Sequence, residues 1–309
     1  MKKSYLLVAA ATLLIFGACQ KENATEETEN STVTQTLDDY YQENRDNSMQ
    51  TFIVDANTPI EVTGEQGTMV TIPANNFLDA NGNVVTGNVE VKLIEVFTKV
   101  DMLKTDITTV TTENEMLISG GEFYLDVTLP GSDQSLRPVE AMLVNVPAEV
   151  EDPNMKLWVN NGAGWELAGG ADRAPDGMME PYDDGYVASI MSGGWYNFDW
   201  SPPGPWCEIC IRVPEGSNPD ETDVFISVDG QMTLVRVDDM FYDGHSLYCT
   251  EVPEGTILTF IVIQKDPDTG MNMYTIVYSV EVECGMTVDA SNLQYSSIAQ
   301  MDDDIMTLP

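Results

Sequence analysis

Short runs of alternating apolar and polar residues, separated by dipeptides that supply positive φ, constrain this chain more than any other feature in it. Val89-Glu90-Val91-Lys92-Leu93 and Phe123-Tyr124-Leu125-Asp126-Val127-Thr128-Leu129 follow the two-residue period of a strand with one face buried and one wet. Asn81-Gly82, Pro130-Gly131, Asp229-Gly230 and Asp243-Gly244 punctuate such runs, and these pairs satisfy the backbone of tight hairpins. No amphipathic helix of ten or more residues stands out. The expectation is an all-β chain of two antiparallel β-sandwich domains, without βαβ units.

The N-terminus reads as an address. Lys2 and Lys3, an apolar run from Tyr5 to Phe16 and the small pair Gly17-Ala18 have the layout of a secretory signal. The run is too short to cross a ~30 Å hydrocarbon core, which needs about 20 residues. Phe16-Gly17-Ala18-Cys19 resembles a bacterial lipobox, which implies that residues 1–18 are removed and that Cys19 carries the lipid as the mature N-terminus. Gln20-Lys21-Glu22-Asn23 resembles the export signal of Bacteroidota lipoproteins, with Asn23 where that signal has an acid. The resemblance implies an outer-membrane protein anchored through Cys19 and facing the cell exterior.

Composition agrees with an exposed location. Thirteen Lys and Arg stand against 51 Asp and Glu, for a net charge of −38. Loss of residues 1–18 removes two lysines and no acid, so the mature chain is more acidic still. Nucleic acid is excluded as a partner, because phosphate contacts need cations that this chain mostly lacks. The acids are spread along the chain, which reads as surface adaptation for solubility more than as a dedicated acidic site. Residues 19–50 are rich in Glu, Asp, Thr, Asn and Gln, so they are expected to be a disordered tether. About 30 such residues span roughly 30 Å.

The folded remainder divides, on this reading, into a first sandwich over 51–150, a hairpin and aromatic, proline-rich segment over 151–204, a cysteine-containing second sandwich over 205–290 and a tail over 291–309. Gly67-Thr68-Met69-Val70-Thr71-Ile72-Pro73-Ala74-Asn75-Asn76-Phe77, Asp79 to Gly87, Val89-Glu90-Val91, Ser119-Gly120-Gly121-Glu122-Phe123 and Val144-Asn145-Val146-Pro147 together form a pattern. It resembles the β-sandwich of ankyrins and netrin receptors as found in Bacteroidota surface lipoproteins. That likeness implies an interaction module. Some relatives cleave themselves at a His-Phe-Ser site, but 51–150 contains no histidine, so self-cleavage is not carried over.

The mature body has four cysteines, Cys207, Cys210, Cys249 and Cys284. In an extended strand Cys207 and Cys210 lie roughly 10 Å apart, beyond disulfide reach. Each should therefore pair with Cys249 or Cys284, an oxidised arrangement that suits an exported protein. Cys207 with Cys249 and Cys210 with Cys284 is the preferred pairing, and the reverse is the other survivor. Cys249 and Cys284 lack the close knuckles of a zinc site. Cys207-Glu208-Ile209-Cys210 lacks the βαβ setting of a redox pair.

Trp195, Tyr196, Trp200 and Trp206 fall in one aromatic stretch. Such rings, with Asn197 and Asp199 beside them, could stack on sugar, although packing at a domain junction is the preferred reading. Asp79-Ala80-Asn81-Gly82-Asn83 and Asp266-Pro267-Asp268-Thr269-Gly270 raise calcium as the one cofactor to consider. Neither supplies the later ligands of a calcium loop, and a turn explains both. The single histidine, His245, has no visible nucleophile or metal partner. No catalytic or metal-ligating residue is assigned, and the chain is expected not to be an enzyme. Three functions remain: a noncatalytic binding or structural module for a protein or envelope partner; a polysaccharide-binding lipoprotein; and a hydrolase using two carboxylates at a set separation.

Overall fold

A computed structural model describes residues 36–309 apart from 149–151, 161, 163, 170–178, 183–184, 238–239, 243–245 and 266–271. Two pairs of sheets account for most of it. The first sheet runs, in spatial order, β1 (Gln50–Asp55), β5 (Asn88–Val96), β6 (Ile118–Thr128), β13 (Gly194–Trp200), β9 (Lys156–Asn160) and β10 (Trp165–Leu167). The second runs β11 (Met179–Tyr182), β12 (Gly185–Ile190), β8 (Met142–Pro147), β3 (Met69–Ile72) and β2 (Ile60–Thr63). The ribbon of β4 (Phe77–Leu78) and β7 (Arg137–Pro138) lies beside them. Their inner faces share one core, in which Val89, Val91, Leu93, Phe123, Leu125, Tyr196 and Phe198 meet Val70, Ile72, Val144, Tyr186 and Ile190. Phe123 stacks on Tyr196 at 5.5 Å and Tyr186 on Phe198 at 5.4 Å, which locks strands of both sheets by ring contacts.

The second pair comprises β17 (Met240–Tyr242), β18 (Ser246–Pro253), β14 (Trp206–Arg212) and β21 (Thr287–Asp289), against β16 (Leu234–Arg236), β15 (Thr222–Val228), β19 (Ile257–Lys265), β20 (Asn272–Glu281) and β22 (Gln294–Tyr295). Ile209, Ile211, Val252 and Val288 face Val224, Ile226, Phe260 and Val262 in its core. The chain is all-β, with antiparallel pairing throughout the named strands except for the parallel contact of β14 with β21.

Pairing redraws the expected boundaries. The segment 151–204 is no junction: β9, β10 and β13 extend the first sheet, and β11 and β12 extend the second. The sandwich begun at Gln50 is completed only by Trp200, because strands close in sequence need not be neighbours in a sheet.

Part of the expected tether, 19–50, is ordered. Residues 37–48 form helix α1 (Leu37–Ser48). Thr36 opens it with a capping box: its hydroxyl accepts from the Asp39 amide at 3.1 Å, and the Asp39 carboxylate accepts from the Thr36 amide at 3.0 Å. Only Leu37, Tyr40 and Tyr41 are buried, an i, i+3, i+4 stripe too sparse to show as an amphipathic pattern. They pack with helix α2 (Lys99–Thr105) and helix α3 (Ile298–Ile305), formed by part of the expected tail. This cluster joins Ile94 and Val96 of β5 to Phe225, Leu234, Ile261 and Ile263 on the outer face of β16-β15-β19, so the helices bridge the two sandwiches.

Arg236 holds the bridge at its centre. Its guanidinium donates to Asp106 Oδ2 and to Asp223 Oδ1, each at 2.5 Å, and lies 6.0 Å from the Tyr41 ring centre. The Tyr41 hydroxyl donates to the other Asp223 oxygen at 2.6 Å. One cation thus ties together α1, the end of α2, β15 and β16. Burial pushes Asp106 up to about 7, opposed by Arg236 and reinforced by Asp223. Lys104 of α2 pairs with Asp302 of α3 at 2.7 Å.

The cysteines follow strand parity. Cys207 faces the core while Cys210, three residues on, faces outward. Cys210 lies directly opposite Cys249, and these two form the disulfide, with Cα atoms 4.1 Å apart. The preferred pairing is therefore corrected: Val252, not Cys249, stands opposite Cys207. Cys207 and Cys284 are thiols.

Because α1 closes the bridge, its anchor residue should be costly to change. Tyr41→Ala is expected to lower unfolding free energy by about 3–5 kcal/mol. Tyr41→Phe should cost about 0.5–1.5 kcal/mol by removing one hydrogen bond to the buried Asp223 carboxylate. Urea denaturation followed by tryptophan fluorescence checks both, and wild-type stability in Tyr41→Ala would show that α1 is not part of the folded body.

Candidate functional site

A hollow of about 760 Å³ lies where the two sandwiches meet. The first sandwich contributes Gln66, Phe97, Ser119-Gly120-Gly121, Asp152, Met155 and Trp200, and the turn after β15 contributes Gly230, Gln231 and Met232. This size suits a small organic ligand or a few sugar rings.

Each wall has a local cause. Gln66 sits on the turn between β2 and β3, which Glu95 shapes by accepting the amides of Gln66 and Thr68, both at 2.8 Å. The turn needs a glycine at Gly64, where a Cβ would fall 2.4 Å from the Glu95 carboxylate. Opposite, the register of β6 with β13 slips between Asn197 and Asp199, where Gly120 and Gly121 form the bulge. Gly121 has φ +131°, and a Cβ on Gly120 would stand 2.8 Å from Met155 Cε. The Ser119-Gly120-Gly121 string is thus the floor of the hollow.

The walls are stitched across the junction. The Ser119 amide donates to the Met232 carbonyl at 2.8 Å, and the Thr109 amide donates to the Leu234 carbonyl at 2.8 Å. The Leu234 amide returns a bond to the Thr109 hydroxyl at 3.1 Å. The segment around Ile107 and Leu117 packs with Trp158 and Trp165.

Beneath the floor lies a buried polar cluster. Glu122, Asn197 and Asp199 are all fully buried. The Asn197 amide nitrogen donates to Glu122 Oε1 at 3.0 Å and to Asp199 Oδ2, and its oxygen accepts from the Ser119 hydroxyl at 2.9 Å. Burial pushes both carboxyls well above their ordinary range; the neighbouring Asp199 charge raises Glu122 further, while Ser119 works the other way on Asp199. Glu122 Oε2 and Asp199 Oδ1 accept no hydrogen bond, which suits protonated acids. Period-2 alternation along a strand does not show whether its second face is covered as well.

The expected site residues do not converge. Cys19 and Gln20-Lys21-Glu22-Asn23 lie outside the described residues. Tyr196 is in the first core and Trp195 packs on the helix bridge, whereas Trp206 leans on the second core and Trp200 alone of these rings lines the large hollow. The four rings therefore form no common platform. Asp79 Oδ1 accepts the amides of Asn81 and Asn83, both at 2.8 Å, as a turn requires. Asp266 to Gly270 and His245 lie outside the described residues. Among the described residues Asp152 is the one acid that lines this hollow. A second hollow of about 460 Å³, beside Cys249, is lined by Glu113, Glu115, Glu208 and Glu251. Glu95, Glu122 and Asp199 carry no sequence signal beyond being acids within apolar runs.

No family model matches the chain, and no curated protein does. Among solved structures it is similar to a gamma-CGTase from Alkalophilic bacillus clarkii, at 11% identity and a TM-score of 0.21, over 77% of this chain and 42% of that one. The chain thus spans under half the length of that enzyme.

The buried acids make folding take up protons. Their folded pKa values are raised, so their stabilising contribution is complete below about pH 4, the ordinary carboxylate range, and is lost as pH rises above it. Glu122→Gln with Asp199→Asn should therefore unfold at higher urea than wild type at pH 8, with the gap narrowing towards pH 4. A gap independent of pH would show that the acids are ionised in the folded protein.

Proposed function

We propose that this chain is a noncatalytic lipoprotein, anchored in the outer membrane through Cys19 and displayed outward, which binds a partner of the cell envelope in the hollow between its sandwiches. The address rests on the lipobox-like Phe16-Gly17-Ala18-Cys19 and the Gln20-Lys21-Glu22-Asn23 run that follows it. The observation that carries the binding role is the lining of the hollow. Trp200, Phe97, Met155 and Met232 offer apolar surface, Gln66 and Gln231 offer neutral hydrogen-bonding groups, and among the described residues Asp152 lines it while no Lys or Arg does. Such a wall takes a neutral, amphipathic group and disfavours an anion. Bonds across the junction hold the wall in place, which lowers the ordering cost of binding.

The presence of Trp200 beside Gln66, Gln231 and Asp152 favours a polysaccharide segment as a second reading, with one ring stacked on the indole and hydroxyls met by the amides. The glycan platform then reduces to one tryptophan of the stretch.

A glycan array and an envelope-fraction pulldown with the chain from Thr36 onward test both readings. Binding should weaken about tenfold or more in Trp200→Ala and stay unchanged in Trp206→Ala. Equal binding by wild type and Trp200→Ala would place the partner elsewhere. Protease treatment of intact cells should cut the displayed body and spare periplasmic controls; protection of the body would refute outward display.

A further inference from the structure

We propose that Cys207 and Cys284 form a second intrachain disulfide, so that the oxidised body carries the two bridges Cys210–Cys249 and Cys207–Cys284. The register of the parallel ladder carries the inference. Strands β14 and β21 pair Cys210 with Thr287, Ile211 with Val288 and Arg212 with Asp289. Cys207 and Cys284 each lie three residues before the first of these pairs, at the end where β14 begins and the turn leads into β21. The Cys210 amide donates to the Met286 carbonyl at 3.0 Å within this ladder; just before it residues 283–286 turn, the Met286 amide donating to the Glu283 carbonyl at 3.1 Å, and the Gly285 amide donates to the Glu208 carbonyl at 2.8 Å, which fixes the turn that carries Cys284 against the start of β14. Cys207 is also the first of the groups that shift the Cys284 thiol, as neighbouring side chains would be.

Parity removes the competing partners. Cys207 faces the core of the second sandwich, while Cys210 and Cys249 are joined on the outer face. Exposure divides the roles of the pair. Cys284 is open to solvent and Cys207 is buried, 8% exposed, so an external oxidant reaches Cys284 first.

The chemistry balances with a small disulfide, such as oxidised glutathione, as electron acceptor. The Cys284 thiolate attacks one sulfur of the acceptor, forming a mixed disulfide and releasing one thiol. The Cys207 thiolate then attacks Cys284 Sγ and expels the second thiol. Two protein thiols lose two electrons and two protons, and one disulfide becomes two thiols. The hydrogen bond to Cys207, burial and the neighbouring Glu254 push the Cys284 thiol up to about 11. Closure should therefore quicken as pH rises, and Glu254→Gln should quicken it at a given pH. The product staples β21, and with it the chain leading to α3, to β14.

The test needs no assumption about where the protein resides. The full chain, purified reduced, is incubated with oxidised glutathione at pH 8.5, alkylated without reduction under denaturing conditions, digested and mapped by mass spectrometry. A peptide pair joined through Cys207 and Cys284, alongside the Cys210–Cys249 pair, is the expected result. Cys284→Ser should leave Cys207 alkylated, keep Cys210–Cys249, and lower the melting temperature of the oxidised protein by roughly 5–15 °C, with the difference from wild type shrinking under reductant. The proposal is overturned if Cys207 and Cys284 end separately alkylated or glutathionylated while Cys210–Cys249 has formed, or if either joins a different cysteine.

Discussion

The sheet that holds β6 and β13 is covered on both faces, and the rest of the structure depends on that double burial. Its inner face meets the second sheet of the first sandwich, while its outer face meets the helices and the 107–117 segment that lead to the other sandwich. An antiparallel sheet ordinarily leaves one face to water. Here the second face is occupied, so the polar residues that would have faced solvent must find partners inside. Asn197 answers this for Glu122 and Asp199, and Arg236 answers it for Asp223 and Asp106. The two solutions differ in cost. Arg236 leaves its acids a cation. The Asn197 cluster has none, and its acids are driven towards the protonated form.

The same covering creates the hollow. Where the first sandwich and the turn after β15 approach without filling the space between them, Gly120 and Gly121 keep the floor low and Trp200 closes one side. Its rigidity comes from backbone bonds across the junction, since β-sandwiches joined by a flexible segment alone would leave such a gap free to open and close. A chain so rich in acid nonetheless presents a mostly neutral lining there. That contrast between an acid-rich chain and a recess whose described lining is mostly apolar or amide is the main physical argument for a binding role.

Helix α1 illustrates why some of this was not legible. Its twelve residues include only three that are buried, and its acidic, amide-rich composition is that of a tether. What makes it helical is a capping box together with two tyrosines that find a prepared surface, and the surface is made by residues from Ile94 to Ile305, distant in the sequence. Trp195 and Trp206 were read together because they are close in sequence, yet a strand and a turn send them to different cores. The disulfide shows the same limit: parity was available from the two-residue period, but the partner of Cys210 depends on the ladder between β14 and β18.

The sequence by itself determined the all-β class, the turn positions at Asn81-Gly82, Pro130-Gly131 and Asp229-Gly230, and the inability of Cys207 and Cys210 to pair with each other. These follow from local geometry: φ preferences, the alternation of side chains and the reach of an extended chain. Only the tertiary structure decided that 151–204 completes the first sandwich, that the outer face of β6 and β13 is buried, that Cys210 joins Cys249, and that a recess opens beside Trp200. Each of these depends on which distant segment lies alongside, and period-2 alternation is the same whether the far face meets water or another layer of protein.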